Sequence, residues 1–208
     1  MHHASSCTLA LRRGLPGVAL ALVVLGGGAA ALQQVAAPAA PPAAVSDVKL
    51  SGFRFEIEAT VPGTPEQVFD ATTGDVTGWW DHSFSGHPYR MFIEPKPGGG
   101  FYEYFDKDGN GVRHAEVTWA ERGKRLTFVG PLPLNGAPVE IGCTLEYASV
   151  DESHTSVRVT VQGGGALPDK AGEQTADVWR HFLMERLVPY MEAGGKASGT
   201  GAAKEPAR

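Results

Sequence analysis

Eight residues, Phe53 to Thr60, alternate without a break between apolar and polar. Phe53, Phe55, Ile57 and Ala59 fall on one face; Arg54, Glu56, Glu58 and Thr60 fall on the other. A period of two belongs to a strand, and a strand with one dry face needs a sheet that is covered on that side only. The same pattern returns later. Ile141, Cys143, Leu145 and Tyr147 oppose Glu140, Gly142, Thr144 and Glu146, and Val157, Val159 and Val161 oppose Arg158, Thr160 and Gln162. Further strands are predicted near 89–94, 100–106, 112–120 and 125–130, with the two late runs at 139–148 and 155–162. Turn-forming residues separate them: Pro95–Gly99, Asp108–Gly111, Arg122–Lys124, Leu134–Gly136 and Asp151–Ser153. Connections this short make hairpins, so the sheet is antiparallel.

The cover is legible too. From about Ala171 to Ala193, Trp179, Leu183, Leu187 and Met191 recur every four residues, with Phe182 and Tyr190 beside them. Arg180, Glu185 and Arg186 lie off that stripe, so the segment is an amphipathic helix with a broad apolar face. It is roughly 30 Å long at 1.5 Å per residue. Pro189 is expected to bend it or tighten its last turns. A shorter helix begins at Pro65, where Thr64 is a natural N-cap and Gln67 completes a capping box. Gly74 ends it, and a second short helix is expected to run to Trp79-Trp80. Strand, helices, about six strands and a long helix describe an α+β helix-grip fold. In it a curved antiparallel sheet of six to seven strands wraps around a long C-terminal α-helix.

The folded unit spans about 47–193. Before it, Arg12 and Arg13 precede the apolar run Leu15–Leu25 and the small-residue site Ala29-Ala30-Ala31. This pattern predicts a signal peptide over 1–31, and hence an exported protein, periplasmic or extracellular. An uncleaved segment would instead anchor the chain to a membrane. Residues 32–46 form an Ala/Pro-rich linker and 194–208 a Gly/Ala-rich tail, both by composition. Cleavage would remove two of the 18 basic residues and none of the 23 acidic ones, leaving a formal charge of −7. An acidic protein lacks the basic field that nucleic-acid binding requires. Only Cys143 would remain, without an internal partner.

Several segments carry a resemblance. Pro65-Glu66-Gln67-Val68-Phe69, Trp79-Trp80, Gly98-Gly99-Gly100-Phe101, Gly123–Phe128 and the closing Trp179–Tyr190 helix are similar to the START/SRPBCC (birch-pollen-allergen-like) superfamily. Within it the chain most resembles the branch named after activators of the heat-shock-ninety ATPase. The resemblance spans about 50–193 and implies the helix-grip fold. It implies no particular activity, because members include lipid carriers, hormone-binding proteins and aromatase/cyclases. An exported copy would not meet a cytosolic chaperone.

Asp106-Lys107-Asp108-Gly109-Asn110-Gly111 matches the first half of an EF-hand loop, but Val117 stands where the bidentate glutamate belongs. A hairpin turn explains the same residues. His82, His87, His114, His154 and His181 form neither H-x-H nor H-E-x-x-H, so no metal site and no cofactor are expected. Alternation puts His114 on the wet face with Glu116 and Thr118, and Trp119 on the dry one. Glu103 is ambiguous; the favoured reading leaves it solvated and packs Tyr102 and Tyr104. With no titratable group pointed clearly inward, no catalytic residue is assigned, and a binding protein is favoured over an enzyme.

The expected ligand is a hydrophobic small molecule between sheet and C-terminal helix, contacted by Trp80, Met91, Trp119, Phe128, Tyr147, Trp179 and Phe182. The Tyr147 hydroxyl and the Trp179 indole N–H would orient it. Two alternatives remain. One is an enzyme of the cyclase or hydratase type using polar residues at the cavity mouth. The other is an interaction domain acting through an exposed surface, as chaperone activators do.

Overall fold

The structure, a computed structural model, describes residues 46–195. The expected signal peptide, all of the linker but Ser46, and the tail beyond Gly195 lie outside the described residues.

Eight strands form one antiparallel sheet, one more than the upper expectation: β1 (Ser51–Pro62), β2 (Gly74–Asp75), β3 (Arg90–Ile93), β4 (Gly100–Tyr104), β5 (Gly111–Glu121), β6 (Arg125–Gly130), β7 (Val139–Ser149) and β8 (His154–Gly165). The extra strand is β2, two residues paired with β3. The spatial order is β1-β8-β7-β6-β5-β4-β3-β2. Every neighbouring pair but β1–β8 is consecutive in sequence, so most of the sheet is a meander, and β1 closes onto β8 across its whole length.

Between β1 and β2 lies α1 (Pro65–Ala71). Its capping box is formed: the Gln67 N–H donates to Thr64 Oγ1, and the Thr64 N–H donates to Gln67 Oε1. After it, Gly74 takes φ 65°, a conformation that suits glycine, and leads into β2. The second short helix is no more than a turn, with the Trp79 and Trp80 N–H groups both donating to the Val76 carbonyl.

The final helix runs as α2 (Ala171–His181), a π-helical segment (Phe182–Leu187) and α3 (Val188–Glu192). Of the bend or tightening expected at Pro189, the turns before it show no tightening but a widening. Proline has no N–H, and its ring collides with the carbonyl four residues back, so an i→i+5 turn relieves the clash. The widened turn carries Phe182, Leu183 and Leu187, all buried against the sheet. Gly172 lets the start of α2 lie on β1, since a Cβ there would come within 2.8 Å of Phe53.

The core sits between the inner sheet face and the helices. Ala59 and Val61 of β1, Leu126 and Phe128 of β6, Ile141, Cys143, Leu145 and Tyr147 of β7, and Val157, Val159 and Val161 of β8 are all buried there. Cys143 is a free thiol whose pKa burial pushes up. The outer face is polar, with Glu58 accepting from Arg158 and Ser156 across β1 and β8.

β5 departs from simple alternation twice. Phe101 pairs with Ala115 but Tyr102 pairs with Arg113, so His114 is an extra residue that bulges out of register. Val117 pairs with Phe128 but Trp119 pairs with Thr127, so Thr118 is a second extra residue. Each bulge reverses the face of what lies beyond it. His114 therefore turns inward, 7% exposed, contrary to the wet-face expectation. Trp119 turns outward, 48% exposed, with the Arg125 guanidinium 4.9 Å from its ring centroid.

An apolar cavity under the C-terminal helix

The side chains leave a cavity of about 510 Å³ beneath α2. Val178, Trp179 and Phe182 of the C-terminal helix form one wall, and Phe101 and His114 of the sheet form the opposite one. The turn Trp80–Phe84 closes one side, and Leu132–Leu134, a 3-10 turn, closes another. The aromatic groups meet mostly edge to face. Trp80 and Trp179 are 5.8 Å apart at 89°, Trp179 and Phe182 5.9 Å at 90°, and Trp80 and Phe101 4.9 Å at 77°. Rings in such pairs stand close to perpendicular, and here they surround the open space.

Of the seven residues expected at the ligand, the structure brings three to the cavity: Trp80, Trp179 and Phe182. Met91 and Phe128 are buried elsewhere in the core, Phe128 edge to face with Phe101 at 6.0 Å and 64°. Tyr147 is buried at the far end, and its hydroxyl is bonded to Thr72 Oγ1 at 2.7 Å, so it cannot orient anything in the cavity. Trp119 is on the opposite side of the sheet. Sequence reading also missed Phe84, Leu132, Leu134 and Val178. Phe84 lies in an irregular loop, where no periodicity assigns a face.

The wall also contains a polar pair. Glu103 is fully buried, not solvated, while Tyr102 and Tyr104 are only half-buried and stack on each other outside. The Glu103 carboxylate accepts the Phe84 and Ser85 N–H groups at 2.8 Å, the Ser85 hydroxyl at 2.7 Å and His114 Nε2 at 3.2 Å. Burial alone would raise its pKa, but these donors outweigh burial and hold it below the ordinary carboxyl value. Burial lowers the His114 pKa, against the pull of Glu103 and of a hydrogen bond to the Leu132 backbone, and so favours the neutral imidazole; facing an ionised Glu103, Nε2–H is the donor. Phe84 stacks on one side of the His114 ring at 5.3 Å and 6°, and Phe101 lies at 4.9 Å and 42°. The pair thus ties the 84–85 loop to the sheet and holds the Phe84 wall of the cavity in place.

At the mouth, Asp81 and His82 face His181 of α2. His181 Nε2 bonds Asp81 Oδ2 at 2.9 Å and its Nδ1 bonds Glu185 Oε2 at 2.8 Å. These two carboxylates raise the His181 pKa. The Asp106–Gly111 segment is a hairpin connection in which Asp106 accepts from the backbone of Asp108 and Asn110 and from the Asn110 side chain.

No protein-family model matches the chain, and no curated protein is significantly similar to it in sequence. Solved structures match in shape. Mll3558 protein from Rhizobium loti is 22% identical over 65% of this chain and 94% of that one, with a TM-score of 0.50. An uncharacterized protein from Rhizobium leguminosarum is 13% identical over 71% of this chain and 99% of that one, at 0.51. PFC0360w, an HSP90 activator from Plasmodium falciparum, is 19% identical over 67% of this chain and 94% of that one, at 0.47. The first two likenesses agree with the helix-grip fold described above, and at these identities they concern the fold alone.

Proposed function

We propose that this domain binds a hydrophobic small molecule in the cavity between the sheet and the C-terminal helix, and that it does so outside the cytoplasm. The observation that carries the reading is the cavity itself: about 510 Å³ walled by Trp80, Phe84, Phe101, Trp179 and Phe182. That volume falls within the ordinary range for small-molecule sites, and a mostly apolar lining with few polar groups selects an apolar guest. Export rests on the Arg12-Arg13, Leu15–Leu25 and Ala29–Ala31 pattern. No helix of the described residues is long and apolar enough to cross a membrane.

Glu103 and His114 bear on the enzyme alternative. They are the buried titratable pair beside the cavity, but each is engaged with the other and His114 packs against the Phe84 and Phe101 rings. This arrangement suits a wall that is held rigid better than a base that reaches a substrate.

Native mass spectrometry of the purified chain, with titration of an apolar fluorescent dye as a second assay, tests the binding reading. An occupant or saturable dye binding is expected, and Val178→Trp, which projects a large ring into the cavity, is expected to abolish it. Absence of both, or dye binding unchanged in Val178→Trp, would return the domain to the interaction-surface reading. N-terminal sequencing of the exported protein checks cleavage near Ala31.

A further inference from the structure

We infer that Asp81, His82 and His181 form a binding site for a divalent transition-metal ion of the zinc class at the mouth of the cavity. One ligand atom from each lies within 4.8 Å of the others. His82 Nδ1 is 2.9 Å from Asp81 Oδ1, and His181 Nε2 is 2.9 Å from Asp81 Oδ2, so both imidazoles aim a nitrogen at one carboxylate. Donors bound to zinc at its usual bond lengths of about 2.0–2.1 Å stand roughly 3.3 Å apart in a tetrahedron. To admit the ion, the two Asp81–histidine contacts need to open by a few tenths of an ångström, and the two imidazole nitrogens, within 4.8 Å of each other, to settle to the same spacing.

The surroundings are those of a ligating histidine. The far nitrogen of His181 bonds Glu185 Oε2 at 2.8 Å. A carboxylate on the distal N–H fixes the tautomer, turns Nε2 toward the ion and strengthens it as a donor. Two nitrogens and one oxygen suit zinc rather than calcium or magnesium, which prefer all-oxygen sets. Hydrogen bonding alone gives the cluster little reason to exist. His82, Asp81 and His181 side chains are 51%, 34% and 30% exposed, and ion pairs this wet contribute little. Arg186 also faces the cluster, its Nε 3.2 Å from Asp81 Oδ2 and 3.1 Å from the Trp79 carbonyl. Its charge weakens the attraction for a cation, while its hydrogen bond holds Asp81 in position. The ion would tie the 81–82 loop to α2 and, with three protein donors, would leave a coordination position for water or for an oxygen on the guest in the cavity. The inference does not depend on that guest.

The test uses the full chain carrying His2→Ala and His3→Ala, because those two histidines are themselves zinc donors. Zn²⁺ is titrated calorimetrically and Co²⁺ is followed by its visible absorption, with no cavity ligand present. One equivalent is expected. His82→Ala and His181→Ala should each weaken binding at least tenfold, and Glu185→Gln by about tenfold. His154→Ala, at a histidine that opens β8, should leave it unchanged. His82→Asn and His181→Asn replace any alanine variant that loses the parent's unfolding midpoint. No stoichiometric uptake, uptake unaffected by both ligand variants, or equal loss in His154→Ala overturns the assignment. None of these results bears on whether the cavity holds an apolar guest.

Discussion

The two ends of the space between the sheet and the helices are built from different kinds of side chain and reach different outcomes. Toward α1 the inner surface is largely aliphatic and closed. Val61, Val68, Val157 and Leu187 are fully buried, and the one aromatic pair there, Phe69 on Tyr147 at 5.6 Å, is completed by the Tyr147–Thr72 hydrogen bond. Toward α2 the surface is aromatic, and the rings stand perpendicular to one another around about 510 Å³. The same sheet and the same helix serve both ends. At the closed end a single ring pair sits among small aliphatic groups that fill the space around it, whereas at the open end large rings from the 80–84 turn, the sheet and the C-terminal helix converge and surround a volume they do not fill. The open end is also where the buried acid and histidine lie, Glu103 and His114, whereas the buried polar groups toward α1 are Thr72, Thr73 and Thr155. A wall with space behind it needs specific hydrogen bonds to stay where it is.

The sharpest way to break this comparison is a matched pair of truncations. Phe69→Ala, in the closed end, should cost about 3–5 kcal/mol in equilibrium denaturant unfolding. Phe182→Ala, in the cavity wall, should cost clearly less while weakening dye binding. Equal penalties would mean that both ends are packed alike. Next in size, Glu103→Ala strands the Phe84 and Ser85 N–H groups, and a loss of about 2–3 kcal/mol is expected. Hydrogen exchange should rise first at those two amides; a uniform rise over the sheet would contradict a local anchoring role. At the closed end, Thr64→Ala removes the α1 N-cap and should cost about 1 kcal/mol without altering dye binding.

The smallest effect concerns pH. The folded-state pKa of His114 is depressed, so the unfolded chain takes up the proton first as pH falls. Its contribution to stability is therefore lost as pH drops below about 6.5 and on down to the folded value. Glu103, also depressed, adds a loss at lower pH, on falling through its own folded value. His181 runs the other way: its folded pKa is raised, and its contribution is lost as pH rises through that value. The difference in stability between the parent and His114→Gln, measured from pH 7 to pH 5, should shrink as pH falls. A difference that does not change with pH would show that His114 is not held neutral by the fold.

Much of the architecture could be read in advance because it depends on local chemistry. The alternation in 53–60 and 139–161 places the inner face, the capping box at Thr64 starts α1, and the four-residue recurrence from Trp179 to Leu187 gives the helix its buried stripe. The site was legible only where one of those periodicities ran through it, at Trp179 and Phe182, or where a bulky pair marked a turn, at Trp80. Trp119 and His114 defeated the reading for one reason: parity along a strand is a local rule until a bulge resets it, and the two bulges in β5 depend on its pairing with β4 and β6. Glu103 shares the inner parity of Phe101, yet whether a carboxylate can be buried there depends on donors from a loop 18 and 19 residues away. Asp81 and His181 are 100 positions apart, and no spacing rule joins them. The sequence by itself determined seven of the eight strands, the first and the last helix, and the inward face wherever alternation runs without a bulge. Whether the inward rings would close into a core or stand around a cavity, and which polar groups would meet at its mouth, was decided only by the tertiary structure, because these depend on the angles and distances at which separate elements meet.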